Sequence, residues 1–177
     1  NSATVGTPGQ YTLTIQGDDE ATVQNGDVFI TEIMYDPSVG SSDGEWVEVH
    51  NASETPVDLK GWRLEDAGGS HTIGSSVIVS PGSYVVLCRN ANQGTNGGVY
   101  CDNEWSGPIL NNSGDTIDLI RPDGTVVDKV SYSAGTGNWD TAENASLVFT
   151  GTAAADNNAP SNWVVASSKE PTSNLSD

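Results

Sequence analysis

An antiparallel β-sandwich is the fold that the sequence predicts. Apolar residues recur at every second position in one short segment after another, the period of a strand with one buried face. Turn-forming residues separate these segments at regular intervals, with 20 glycines and 8 prolines in a chain of 177 residues. No stretch carries the 3.6-residue periodicity of a helix, which argues against an α/β arrangement.

Taken in order, residues 11–20 set Tyr11, Leu13 and Ile15 against Thr12, Thr14 and Gln16, then stop at an acidic turn. Residues 21–27 read as a connector and 27–37 as a second strand ending at Pro37. After a loop over 38–44, the stretch GEWVEVHN places Val47 and Val49 on one face and Trp46, Glu48 and His50 on the other. The valine face is expected to be core and the opposite face hydrated. Residues 57–66 continue with Val57, Leu59, Trp62 and Leu64, of which Leu59, Trp62 and Leu64 are expected in the core, and Gly61 marks a bend or bulge. Two strands, 76–80 and 83–90, flank a Pro81–Gly82 turn. The clearest hairpin spans 115–132: Ile117 and Leu119 alternate with polar residues, Pro122, Asp123 and Gly124 make the turn, and Val127 and Val130 return on the partner. Residues 145–150 and 162–168 are the last strands, for nine or ten in all. The expected organisation is an N-terminal strand and acidic linker over 1–24, a sandwich over 25–168 and a polar tail over 169–177.

Charge narrows the function classes. Six basic residues face 24 acidic ones, a formal net charge of −18. That leaves no basic footprint for nucleic acid and no attraction to anionic membranes. Divalent cations and cationic partners stay compatible. No apolar run reaches the ~20 residues of a membrane span. The chain opens at Asn1 without a signal peptide and is expected to be a mature or excised piece of a longer precursor. Cys88 and Cys101 bracket a Gly/Asn-rich loop. Free thiols are one reading; a disulfide clamping the loop is the favoured one, worth about 3 kcal/mol by chain entropy and implying an oxidising compartment.

Several residues are candidates for chemistry. Glu48 and His50 share a face, as a carboxylate and imidazole in general-base work must, but no nucleophile motif accompanies them, and framework roles are expected. Glu48 and Asn51 are assigned to fixing the strand edge and the following turn. His71 stands alone in a turn. Two acidic groups offer oxygen ligands for calcium: Asp18, Asp19 and Glu20 in one loop, and Asp36, Asp43 and Glu45 around another. Calcium is the one cofactor considered. The five tryptophans, Trp46, Trp62, Trp105, Trp139 and Trp163, are expected as core anchors, with a sugar-stacking platform as the alternative. Sequons begin at Asn51, Asn111, Asn144 and Asn174.

The segment VFITEIMYDPSVGSSDGEWVEVHNASETPVDLKGWRLEDAGG resembles the start of a lamin-tail domain of the prokaryotic extracellular type. SPGSYVVLC, LNNSGDTIDLIRPDGTVVDKVSY, ASL and SNWVVASSKEPTSN extend the likeness in order over roughly residues 27–175. The resemblance implies an immunoglobulin-like sandwich without catalytic residues, carried in secreted or cell-surface proteins. Residues 1–20 resemble the closing strand of a Calx-beta repeat; a docking strand for β-augmentation is the other reading. The expected function is a non-catalytic extracellular module for adhesion, anchoring or assembly. The alternatives are a carbohydrate-binding module using exposed tryptophan, and an accessory domain of a secreted hydrolase or nuclease. Expected partners are other domains of the parent protein, cell-surface components or glycans, and further copies of the chain through its N-terminal strand. Nucleic acid and direct membrane insertion are not expected.

Overall fold

The structure is a computed structural model, and it describes residues 23–38 and 41–167. The expected strand over 11–16, the acidic group Asp18–Asp19–Glu20 and the 169–177 tail lie outside the described residues. Twelve short strands follow one another: β1 (Val28–Met34), β2 (Trp46–Asn51), β3 (Val57–Asp58), β4 (Arg63–Glu65), β5 (Ser70–Thr72), β6 (Ile78–Val79), β7 (Tyr84–Cys88), β8 (Asn103–Glu104), β9 (Asp115–Ile120), β10 (Val126–Tyr132), β11 (Leu147–Phe149) and β12 (Trp163–Val165). The helical elements described are three single 3-10 turns. A six-stranded sheet, ordered β12-β11-β1-β2-β7-β8, faces a four-stranded sheet, β10-β9-β4-β5, and β3 pairs with β6 in a small third sheet. Every pairing is antiparallel except β7 with β8. The fold is an all-β, immunoglobulin-like sandwich.

Alternation builds the interior. Val47 and Val49 of β2 lie opposite Leu87 and Val85 of β7, and all four are buried. They join Leu64, Ile117, Leu119, Val127 and Val130 from the facing sheet in one continuous core. Two bulges explain inward residues that strict alternation would separate. Ile30 and Ile33 are three apart, yet both are fully buried, because the register with β2 shifts between Ile30 and Glu32. A second shift, between Val126 and Asp128, does the same for Val127 and Val130.

Two expectations are corrected. Residues 57–66 are not one strand: β3 and β4 belong to different sheets, and the chain crosses between them at Gly61, whose φ of 81° suits glycine. The face of β2 that carries Trp46 and Glu48 is not hydrated. Both residues are 1% exposed: the loop between β7 and β8 packs over Trp46, and Glu48 is held against β1 by the Thr31 hydroxyl.

Asn51 fixes the turn after β2. Its Nδ2 donates to the carbonyls of Thr55 and Val79, while its Oδ1 accepts from the amide and hydroxyl of Ser53. The sequon at Asn51 is therefore buried framework, whereas Asn111 and Asn144 are exposed.

The sheet margins are short or covered. β8 and β12 span two and three residues. β10 is longer, but a side-chain amide completes its outer margin: Asn158 Oδ1 accepts the Ser131 N–H at 2.9 Å and Asn158 Nδ2 donates to the Lys129 carbonyl at 2.6 Å. Gly26 adds an N–H to the Val127 carbonyl.

Candidate functional site

The outer face of the six-stranded sheet collects the notable polar and aromatic residues, and register decides which of them meet. Residues opposite one another in an antiparallel ladder share a face. β1, β2 and β7 therefore present three rows: Phe29, His50 and Tyr84; then Glu32, Glu48 and Val86; then Met34, Trp46 and Cys88.

The third row is sealed. Cys88 and Cys101 form a disulfide with a Cα–Cα distance of 5.8 Å. It ties down a loop whose Val99 packs with Met34, Trp46, Val86 and Cys88 in a second apolar cluster. Asn96, 4% exposed, braces this loop by donating to the Asn90 and Val99 carbonyls and accepting from the Gly98 and Val99 amides.

The first row stays open. His50 stacks on Tyr84 with ring centres 4.2 Å apart, and Phe29 meets His50 edge-on at 5.3 Å. Phe149 of β11 meets Phe29 edge-on at 6.0 Å. His50 Nδ1 lies 3.1 Å from the Ser83 carbonyl. Burial lowers the His50 pKa below its ordinary value, against the opposing effect of that carbonyl. Tyr84 is pushed the other way, by burial first and by the Glu48 charge second.

The middle row is acidic. Glu32 and Glu48 stand directly opposite one another, and both are buried. The Thr31 hydroxyl donates to Glu48 Oε1 at 2.7 Å, and the Ser146 hydroxyl donates to Glu32 Oε1. Between the first and middle rows lies a hollow of about 450 Å³, with Phe29, Thr31, Glu48, His50, Tyr84 and Phe149 in its wall. Glu48 and His50 thus both line one concavity, where sequence reasoning expected a flat, wet surface. Their contacts are with Thr31, Ser83 and aromatic rings, which anchor them in the framework.

The candidate calcium residues fall as follows. Asp36 accepts from Asn112 Nδ2, and Asp43 lies in the 3-10 turn Ser41–Gly44. Glu45 turns inward, 2% exposed, and accepts the Leu110 N–H at 2.9 Å. Burial raises its pKa to about 7, opposed by that N–H and by Arg89 and reinforced by Asp66 and Asp115. Among the described residues no group of three or more His, Cys, Asp or Glu side chains is placed to hold a metal.

All five tryptophans are core, between 1% and 8% exposed. Trp105 and Trp163 donate their indole N–H groups to the Pro108 and Asn157 carbonyls. This corrects the alternative of a sugar platform built from exposed tryptophan, since no indole face is presented. His71 is held by Asn103 and by the Ser106 amide. Sequence reasoning missed Asp128, which is buried and accepts the Ile30 N–H at 2.8 Å and two bonds from Asn157 Nδ2. It also missed the hollow, because Phe29, Tyr84 and Phe149 meet only through the register of separate strands.

Filled interior, short strands and a locked surface loop define an immunoglobulin-like β-sandwich module. Among the described residues no helix is long and apolar enough to cross a membrane. The family model for the lamin tail domain matches residues 21–134, and the chain belongs to that family. The comparison with curated proteins finds no match.

Proposed function

We propose that the chain is a non-catalytic extracellular module for adhesion, anchoring or assembly within a larger secreted protein. The Cys88–Cys101 bridge carries this reading. A disulfide that closes a surface loop persists in oxidising compartments and is rare in reducing ones. The residue types that catalysis would need support the non-catalytic part through their occupations. Glu45 and Asp128 each hold a backbone N–H inside the sandwich, and Glu48 holds a hydroxyl. Lamin-tail modules are, as a family, generally non-enzymatic β-sandwiches. The partners proposed are neighbouring domains of the parent protein, cell-surface components or glycans, and other copies of the chain through the N-terminal segment whose sequence alternates over 11–16. Calcium enters the proposal through Asp18, Asp19 and Glu20, to be tested by calorimetric titration.

The test is retention of the fluorescently labelled chain on cell-envelope fractions, alongside turnover assays on polysaccharide, ester and nucleic-acid substrates. Saturable retention without turnover is the expected result. Turnover that tracks the chain's concentration, or no retention on any envelope fraction, overturns the reading. Light scattering of the chain against a form lacking residues 1–24 tests self-association; equal masses overturn that part.

A further inference from the structure

We propose that Asn111 is the attachment site for an N-linked glycan, and that of the sequons at Asn51, Asn111 and Asn144 the fold leaves this one open to a glycan transferase. The inference goes beyond the adhesion and anchoring reading and shares with it the exported setting. Its test is run on the isolated folded chain, so the two can fail separately. The sequon at Asn174 lies outside the described residues.

A transferase needs two groups of the sequon at once: the carboxamide nitrogen of Asn, which receives the sugar, and the hydroxyl two residues on, by which the sequon is recognised. The three sequons differ in which of these they can offer. Asn51 is 0% exposed and spends both Nδ2 hydrogens on the Thr55 and Val79 carbonyls. Asn144 is exposed, but Ser146 is 0% exposed and donates its hydroxyl to Glu32. Asn111, Asn112 and Ser113 are all exposed. No hydrogen bond among the described residues engages Asn111 Nδ2.

The turn also presents the two groups together. Asn111 Oδ1 accepts the Ser113 N–H at 2.9 Å and the Ser113 hydroxyl at 2.7 Å, an Asx turn that sets carboxamide and hydroxyl side by side. The backbone beneath is held independently of Nδ2. The Asn111 N–H donates to Asp115 at 3.1 Å. The Asn111 carbonyl accepts from the Tyr132 hydroxyl and the Gly114 N–H, both at 3.0 Å, and Asn112 Nδ2 donates to Asp36 at 2.5 Å. A sugar on Asn111 Nδ2 therefore breaks none of the bonds that order the loop. In the transfer, Nδ2 forms a bond to the anomeric carbon of a glycan carried on a polyprenyl diphosphate. The carbon–oxygen bond to the diphosphate breaks, the polyprenyl diphosphate leaves with the electron pair, and one Nδ2 proton passes to a base of the transferase.

The experiment incubates the folded, oxidised chain with an oligosaccharyltransferase that accepts any Asn-x-Ser/Thr sequon and with chitobiose linked to polyprenyl diphosphate. Synthetic peptides of the three sequons run alongside, and peptide mapping by mass spectrometry reads occupancy site by site. All three peptides are expected to accept the sugar. In the folded chain Asn111 is expected to be occupied, while Asn51 and Asn144, which need local opening, lag by at least about tenfold. Ser113→Ala is expected to abolish occupancy at Asn111 without moving the thermal melt, and the glycosylated chain is expected to keep its melting temperature. An unmodified Asn111 in the folded chain while its peptide reacts, occupancy of Asn51 or Asn144 as fast as Asn111, or undiminished occupancy in the folded Ser113→Ala variant overturns the proposal.

Discussion

Replacing Glu45 by glutamine tests how the sandwich tolerates a buried carboxyl. Glu45 is 2% exposed, and its Oε2 accepts the Leu110 N–H at 2.9 Å. Burial raises its pKa from an ordinary 4.5 to about 7. The folded protein therefore holds this proton more tightly than the unfolded chain between those two values. Stability from this group is full below pH 4.5, declines as pH rises through about 7, and is level above that. At 1.36 kcal/mol per tenfold change in proton affinity, the decline amounts to roughly 3 kcal/mol. Glutamine keeps an oxygen for the Leu110 N–H and carries no proton equilibrium. Asp102 and Asp128, whose pKa values burial also raises, are present in both proteins and cancel in the comparison. Urea unfolding followed by tryptophan fluorescence at several pH values measures the difference. The stability of Glu45→Gln relative to the wild type is expected to rise by roughly 3 kcal/mol between pH 4.5 and 8. Two parallel pH profiles would refute the reasoning.

Three further outcomes are expected. Reducing Cys88–Cys101, or changing both to serine, should cost about 3 kcal/mol and shift tryptophan emission to the red as Trp46 loses its cover, which thermal melts with and without dithiothreitol will show. Gly107→Ala would place a Cβ 2.5 Å from the Ser70 carbonyl oxygen; the strand β5 must yield, and a loss of about 1–3 kcal/mol is expected in denaturant titration. Asn157→Ala removes both side-chain bonds to the buried Asp128 carboxylate and should cost about 1.5–3 kcal/mol, read as a lowered melting temperature; an unchanged melt would sink that assignment.

Much of the interior could be read from alternation, and its failures have physical causes. Val47 with Val49, and Ile117 with Leu119, obey a strict period of two and were legible. Ile30 with Ile33, and Val127 with Val130, break that period, and only the bulges place them together. The polar character of Glu48 suggested water on its face, but the disulfide loop, distant in sequence, covers the neighbouring Trp46 and leaves little of that row wet. Glu45 read as a loop ligand because nothing local shows that Leu110, 65 positions away, waits with an amide to be capped. The hollow had no local signal either, since its aromatic residues come from β1, β7 and β11 and meet only once register is set. The disulfide pairing, by contrast, followed from there being two cysteines flanking one loop.

Asn158 spends its amide as a one-residue counterfeit of a neighbouring strand, answering the carbonyl of Lys129 and the N–H of Ser131 where a second chain would otherwise zip on. With the six-stranded sheet ending in stubs of two and three residues, the described residues offer little backbone for runaway stacking. Crowded side by side on one surface, copies would not fuse through the margins of these sheets, and any strand shared between neighbours would fall to the proposed N-terminal docking segment.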